Sequence, residues 1–264
     1  MTKRNKMNKL TIIKIGGNVI DDPKSLDQFL TDFAQRSEPA ILVHGGGKIA
    51  TQIGNKLGIE AKMVDGRRIT DAETLDLVTM VYGGLTNKKI VAQLQSKGFN
   101  AIGLTGADGN VMLAKKRPVK QIDYGFVGDI TADGVNIPLL QSLLNQGVNP
   151  VFCALTHDGE GHMLNTNADT IASVLAVAMS REFEVELVYC FEQPGVLSDF
   201  ENKVVIPVLE PKNYQEYKDS GVINSGMIPK LDNAFDALNA GVKSVRIIQF
   251  SDLNKAETGT LIKL

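Results

Sequence analysis

The sequence predicts an α/β fold with a largely parallel sheet covered by helices on both faces, and three observations carry that prediction. Strand-like and helix-like patterns alternate along almost the whole chain, the order expected of parallel strands joined by crossover helices. The apolar run at 10–15 ends in Gly16-Gly17, and the run at 41–43 ends in His44-Gly-Gly-Gly47. Both glycine stretches pass directly into helical sequence, which places bare backbone N–H groups at the carboxyl edge of a sheet, where open α/β folds bind ligands.

The remaining elements follow in order. Leu26, Phe29, Leu30 and Phe33 recur at helical spacing, so 23–36 is a helix with Asp21 and Asp22 available as caps. The glycines after 41–43 open a helix over 49–57. Residues 62–69 read as a hairpin, because Asp65-Gly66 favours a two-residue turn. A long helix covers 71–97, with Gly83-Gly84 marking close packing or a bend, and a strand covers 99–104. Asp-Gly and Gly-Asp pairs make 108–135 turn-rich, and it is expected to form hairpins on the sheet edge that act as a lid. A helix at 137–146, a strand at 148–155 and a hairpin at 156–165 come next. Residues 167–180 are rich in alanine and valine with almost no polar face, which predicts a buried helix. The character changes near 181, giving an N-terminal lobe of 1–180 and a C-terminal lobe of 181–264. The second lobe reads as a strand at 185–190, a loop at 191–197, helices at 211–220 and 229–240, a strand at 244–248 and a closing strand at 259–262.

Composition narrows the function. The 264 residues are 43% hydrophobic and 22% charged, enough for a sizeable core. A net charge of −2 and a pI near 6.0 carry no footprint for nucleic acid. The one basic cluster, Lys3, Arg4, Lys6 and Lys9, reads as a solvated tail. No run reaches the roughly 18 apolar residues of a membrane helix, and the first apolar run, interrupted by Lys14, is no signal peptide. The expectation is a soluble cytoplasmic protein. Cys153 and Cys190 lie in apolar strand-like contexts, as reduced buried thiols do.

Several chemistries are disfavoured. There is no G-x-x-x-x-G-K-[ST] loop, no G-x-S-x-G elbow and no cysteine/histidine cluster. Gly45-x-Gly47-x-x-Ala50 formally fits a dinucleotide fingerprint, but it is not on the first strand, and Asp65 is better explained as a turn residue. His157 and His162 are separated by a turn and read as surface residues rather than metal ligands. What remains is Lys14, a cation inside an apolar strand; Arg68, able to clamp a carboxylate; Asp169, at the start of a buried helix; and Lys230, opening another helix. Each has an ordinary explanation alone: a snorkelling lysine, a capping aspartate, a solvated lysine. Together with the glycine loops they are the parts phosphoryl transfer requires.

With those residues in place, the chain resembles the amino acid kinase family over 10–264, and its motifs arrive in the family's order. The family's K-x-G-G stands as Lys14-Ile-Gly-Gly17, its H-G-G-G as His44 to Gly47, and its G-x-R as Gly66-Arg-Arg68. Its N-x-N-A-D stands as Asn165-Thr-Asn-Ala-Asp169 and its G-M-x-x-K as Gly226-Met-Ile-Pro-Lys230. G-x-R together with N-x-N-A-D points to the branch acting on acylated glutamate rather than carbamate, aspartate or uridylate.

The resemblance implies a three-layer αβα sandwich, with acylglutamate bound in the N-terminal lobe and ATP with Mg2+ in the C-terminal lobe. It implies that Gly46, Gly47, Arg68 and Asn165 hold the substrate carboxylates. Lys14 and Lys230 would stabilise the transferring phosphoryl group, and Asp169 would orient both lysines. Gly16, Gly17, Gly195 and Gly226 would line the nucleotide. The implied product is the acyl phosphate of the γ-carboxylate of N-acetyl-L-glutamate, in arginine biosynthesis. The same chemistry on N-succinylglutamate, or a non-catalytic ligand-binding relative, are the alternatives; a nicotinamide enzyme is remoter.

Two departures stand out. Where the family reads S/T-D-V-x-G-V-L, this chain has Cys190-Phe-Glu-Gln-Pro-Gly-Val-Leu197, and the glycine pair before the methionine is Ser225-Gly226. About nine residues precede the first strand, whereas arginine-inhibited relatives carry a longer N-terminal helix that builds a hexamer. The expectation is therefore a homodimer without arginine feedback.

Overall fold

A computed structural model describes residues 8–64, 66–223 and 226–264. The basic residues Lys3, Arg4 and Lys6, the turn residue Asp65 and Ser225 lie outside the described residues. The chain opens with β1 (Lys9–Ile15), whose six residues after Lys9 are all buried. Such a continuous run is what a central parallel strand needs, since helices cover both its faces. A single helical turn, α1 (Gly17–Asp21), leads to α2 (Pro23–Ala34). Asp22 caps α2 by accepting from the Ser25 N–H at 2.8 Å, with Pro23 pre-set in the first turn. Leu26, Phe29, Leu30 and Phe33 form its buried face, as their spacing requires.

β2 (Ala40–His44) runs into α3 (Gly47–Leu57), and β3 (Met63–Val64) pairs antiparallel with β4 (Arg67–Arg68). The expected long helix is α4 (Ala72–Val78) and α5 (Asn87–Ser96), joined without a break by a π-helical stretch at Thr79–Thr86. The Gly83-Gly84 pair lies in that wider turn, a local widening that sequence periodicity does not distinguish from an α-helix.

β5 (Ala101–Leu104), β6 (Met112–Lys116) and β7 (Gly128–Val135) precede α6 (Ile137–Asn145). The single strand expected at 148–155 is two: β8 (Asn149–Phe152) stays in the central sheet, and β9 (Leu155–His157) leaves it after Cys153-Ala154. β10 (Met163–Asn165) closes the hairpin, and α7 (Ala168–Met179) follows, buried along most of its length.

The second half supplies β11 (Glu184–Phe191), the short β12 (Leu197–Asp199), β13 (Val204–Val205) and β14 (Val208–Leu209), then α8 (Pro211–Asp219) and α9 (Ile228–Asn239). β15 (Ser244–Gln249) and β16 (Thr260–Ile262) complete it. The strands at 197–199, 204–205 and 208–209 have no counterpart in the expected elements; two or three residues are too few to show a period.

The central sheet has eight strands in the order β14-β16-β15-β11-β1-β2-β8-β5, parallel throughout except at β15–β16. Its strands from 184 onward lie on one side of the β1–β11 junction and those before 153 on the other. Side chains of β1 alternate between two cores: Ile13 and Ile15 join Phe29, Phe33 and Phe99, whereas Leu10 and Ile12 join the large cluster built on α7. The architecture is three-layered, with helices on both faces.

One expectation is corrected. Residues 108–135 do not form hairpins on the edge of the central sheet; β6 and β7 join β9 and β10 in a separate four-stranded sheet ordered β10-β9-β6-β7. β6 and β7 alternate buried and exposed residues, so each has one apolar face and needs cover on one side only. α7 gives β7 that cover.

Candidate active site

The carboxyl ends of β1, β2 and β11 converge with the start of α7. His44, the last residue of β2, is completely buried. Its Nδ1 lies 2.7 Å from the Gly45 carbonyl and must donate to it, so Nε2 is the acceptor for the Asn87 amide at 3.0 Å. Asn87 also donates to the Val151 carbonyl at 2.9 Å, which anchors the pair to β8. These bonds tie the Gly45 carbonyl to the buried His44 ring. Gly46 has φ +152°, and a Cβ there would sit 3.0 Å from the Tyr82 ring carried by the π-helical turn, so only glycine fits. No side chain caps α3, and its first N–H groups at Gly46 and Gly47 are open to an anion.

Burial, slightly offset by the Gly45 hydrogen bond, lowers the His44 pKa from 6.5 to about 4. Above pH 6.5 the ring is neutral in both folded and unfolded chains. As pH falls from 6.5 towards 4, the unfolded chain takes up a proton that the folded one refuses, and stability is lost by about 1.4 kcal/mol per pH unit, roughly 3 kcal/mol in all. Urea denaturation from pH 7 to pH 4 is expected to show this excess loss in the parent and not in His44→Gln. Parallel curves would remove His44 as the source.

Arg68, on β4, is 8% exposed, and its guanidinium donates to the Gly47 carbonyl at 2.9 Å and to Thr51 Oγ1 at 2.7 Å. Among the described residues no carboxylate lies within ion-pair distance of it. A buried cation held only by neutral groups is costly, and a ligand carboxylate would complete it. Asn165 donates to Thr70 Oγ1 at 3.0 Å, which fixes its amide on the wall of the same cavity. That cavity, of about 280 Å3, is bounded by Lys14, the three glycines 45–47, Arg68 and Asn165.

At the floor, Asn167 caps α7, accepting from the N–H groups of Asp169 at 2.8 Å and Thr170 at 3.1 Å. Asp169 is thus relieved of the capping role and holds two cations instead. Its Oδ1 is 2.7 Å from Lys14 Nζ, and its Oδ2 is 3.5 Å from Lys230 Nζ. Burial acts to raise the Asp169 pKa, but the two ammonium groups outweigh it and lower the pKa, so the carboxylate is ionised. Lys14 is buried within β1, whereas the Lys230 side chain is 26% exposed on the first turn of α9 and also donates to the Gly226 carbonyl at 3.4 Å. Three groups from three distant parts of the sequence form one compact array that keeps one net positive charge.

The glycines expected to line a nucleotide fall in two places. Gly16 donates its N–H to the Cys190 carbonyl at 2.8 Å, and Gly17 borders the cavity beside Lys14. Gly195 lines a smaller apolar cleft with Val196, Leu197, Ile223 and Met227. A Cβ on Gly195 would meet Thr260 Oγ1 and Val205 at 2.8 Å, so packing against β16 and β13 alone requires glycine there. Gly226 does not line that cleft; it precedes Met227 in the chain and its carbonyl accepts from Lys230.

Several contributors were not legible as site residues. Tyr82, Asn87 and Thr51 lie on helical faces with nothing in the sequence to separate them from core or surface positions. Asn167 stands inside the N-x-N-A-D motif, whose first turn could have revealed the cap. Glu192 accepts from the Asn18 amide at 2.5 Å, and Asn18 in turn accepts from Lys48, so α1, the start of α3 and the end of β11 are joined across the mouth of the site. Both cysteines are free and buried, and burial pushes the Cys153 thiol up to about 12, as expected of inert thiols. His157, at the end of β9, contacts Asn110, and His162 pairs with Asp158. Among the described residues, no group of three or more histidine, cysteine or acidic side chains could hold a metal, and no helix is long and apolar enough to cross a membrane.

The chain is 64% identical over 249 residues to the acetylglutamate kinase of Cytophaga hutchinsonii, covering 94% of each chain. It is 56% identical over 256 residues to that of Phocaeicola vulgatus, covering 97% of this chain and 98% of the other. A solved structure from Streptococcus mutans superposes with a TM-score of 0.77 at 28% identity, covering 96% of this chain and 98% of that one. The family profile described as the amino acid kinase family matches residues 9–249, and the chain belongs to that family.

Proposed function

We propose that this protein catalyses the ATP-dependent phosphorylation of the γ-carboxylate of N-acetyl-L-glutamate, giving N-acetyl-L-glutamyl 5-phosphate and ADP, in arginine biosynthesis. The observation that carries the proposal is a division of charge around one cavity. The buried Arg68, with no acidic partner among the described residues, faces the same space as Lys14 of the Lys14–Asp169–Lys230 array.

Arg68, the N–H groups of Gly46 and Gly47, and Asn165 hold the substrate carboxylates, which leaves the γ-carboxylate directed towards Lys14. A glutamyl γ-carboxylate is already ionised at neutral pH, so no general base is needed. Its oxygen bonds to the γ-phosphorus as the bond from phosphorus to the bridging oxygen breaks, and the electron pair leaves with ADP. Lys14 and Lys230 neutralise charge on the equatorial oxygens of the phosphoryl group in flight, and Asp169 fixes their positions. Transfer is direct, with no covalent enzyme intermediate.

ATP is assigned to the 181–264 lobe, with its base in the apolar cleft beside Gly195 and Met227 and its phosphates approaching Gly16, Gly17 and Gly226. Asp169, at the centre of the site, is engaged by the two lysines, and the described residues offer no metal cage. Mg2+ is therefore assigned to the co-substrate, Mg-ATP, held by phosphate oxygens. A homodimer is supported by the outer edge of β5, unpaired among the described residues, and by exposed Met80 and Leu85 on the neighbouring helix. A cytoplasmic location accords with both cysteines being free.

One observation favours a second acyl group. A larger depression next to the cavity is lined by Arg67, Arg117 and Lys120. Arg117 is paired with Asp129 at 2.6 Å, but Arg67 and Lys120 have no carboxylate within ion-pair distance among the described residues. Such a basic margin suits the terminal carboxylate of N-succinylglutamate. ADP release from Mg-ATP with N-acetyl-, N-succinyl- and unmodified L-glutamate decides between them. Turnover with N-acetylglutamate supports the first reading, turnover with the succinyl substrate alone replaces it, and silence with all three leaves a ligand-binding protein. Arg68→Lys is expected to raise the KM for the acylated glutamate about tenfold or more while changing kcat less, because a lysine cannot reproduce a bidentate fork. An unchanged KM would remove Arg68 from the carboxylate site.

A further inference from the structure

Phe191 is an aromatic residue at the carboxyl end of β11, beside the site, and its surroundings show what the ring does. It is the last residue of β11, 8% exposed, and its ring face is approached by both lysines of the site. Lys14 Nζ lies 5.3 Å from the ring centroid and Lys230 Nζ lies 5.5 Å from it, both within cation–π range. Both lysines therefore meet Asp169 and also one aromatic ring.

The ring has an aromatic neighbour. Tyr189, two residues earlier on the same face of β11, is fully buried and nearly parallel to it, with a centroid separation of 6.3 Å and an interplanar angle of 4°. The Tyr189 hydroxyl reaches the Asp169 carbonyl at 3.5 Å. Lys14 stands opposite Tyr189 in the parallel pairing of β1 and β11, which places Phe191 on its diagonal. A Cβ on Gly16 would lie 3.0 Å from the Phe191 ring, so the first glycine loop closes over its edge.

Two ammonium groups that must act on one phosphoryl group repel each other, and Asp169 compensates a single charge. A second carboxylate would finish the compensation, but it would also take N–H donors that the phosphoryl oxygens need. An aromatic face lowers the energy of the cations without accepting directed hydrogen bonds and keeps water from that side. The geometry points to Phe191 as a positioning residue that steadies Lys14 and Lys230 together and leaves their free N–H groups aimed at the transferring phosphoryl. This role rests on the phosphoryl-transfer reading of the two lysines.

The test is a fluorination series at position 191 in the full-length protein: phenylalanine, then its 4-fluoro, 3,5-difluoro and 3,4,5-trifluoro forms, with Phe191→Leu and Phe191→Tyr alongside. Fluorine drains the ring face at almost constant volume. The expected result is a stepwise fall in kcat, reaching on the order of tenfold at the trifluoro ring, with both KM values and the melting temperature nearly constant. Phe191→Leu should fall at least as far, and Phe191→Tyr should retain most of the activity. A flat kcat across the series overturns the proposal, because a purely packing role is insensitive to fluorination. Lys14→Met and Lys230→Met, assayed in parallel, separate the two levels. If they lose activity while the series stays flat, only the role of Phe191 fails; if they keep it, the phosphoryl-transfer reading fails with it.

Discussion

Lys230→Met is expected to lower kcat by on the order of a hundredfold or more, roughly 3–4 kcal/mol of transition-state stabilisation, with little change in stability. The magnitude follows from what the lysine is asked to do. It meets charge that develops on the phosphoryl oxygens during transfer, so its loss falls on kcat more than on either KM. Stability should hold, because the side chain is partly exposed and its contact with Asp169 is the longer of the two, 3.5 Å against 2.7 Å for Lys14. Lys14→Met should lose activity to a similar extent and also unfold more easily, since it removes the closer partner of a buried carboxylate. Steady-state kinetics with urea midpoints separates the two effects. Near-normal turnover in a folded Lys230→Met would take this lysine out of the mechanism.

Asp169→Asn carries the second large effect. The substitution keeps shape and removes the one negative charge between two ammonium groups. Freed of their common anchor, the lysines separate, and kcat should fall on the order of a hundredfold. The KM for Mg-ATP should stay constant or fall, because the array has become more positive towards an anionic co-substrate. That split is diagnostic. If Asp169 mainly held a metal or the nucleotide, the same change would raise the KM for Mg-ATP sharply. Equal loss of activity and of nucleotide binding would contradict the positioning role.

Most of this site was readable from residue types because each carries a cost that folding must justify. Lys14 interrupts a buried strand, three glycines follow β2, and Asp169 opens a helix with no polar face. The structure brings these anomalies together at one end of the sheet, around one cavity and the Lys14–Asp169–Lys230 array. The αβα layering was readable for a related reason: long buried strands and amphipathic helices impose strong periods. What escaped has weak or no local signal. The π-helical turn that sets Tyr82 against Gly46 has an unremarkable sequence, since its hydrogen-bond shift depends on packing. The second sheet was misplaced because alternation in β6 and β7 tells that one face is covered, not by what. Phe191 was visible only as a departure from pattern, and its meaning lies in two lysines, one of which is 39 residues away and the other on the neighbouring strand.

The most direct test is product identity. Enzyme, Mg-ATP and N-acetyl-L-glutamate are incubated with hydroxylamine, and ADP and hydroxamate are counted together by mass spectrometry. Direct transfer to the γ-carboxylate predicts one N-acetylglutamate γ-hydroxamate for each ADP, and neither product without the amino acid. ADP formed without hydroxamate, or at the same rate with no acylated glutamate present, would contradict it.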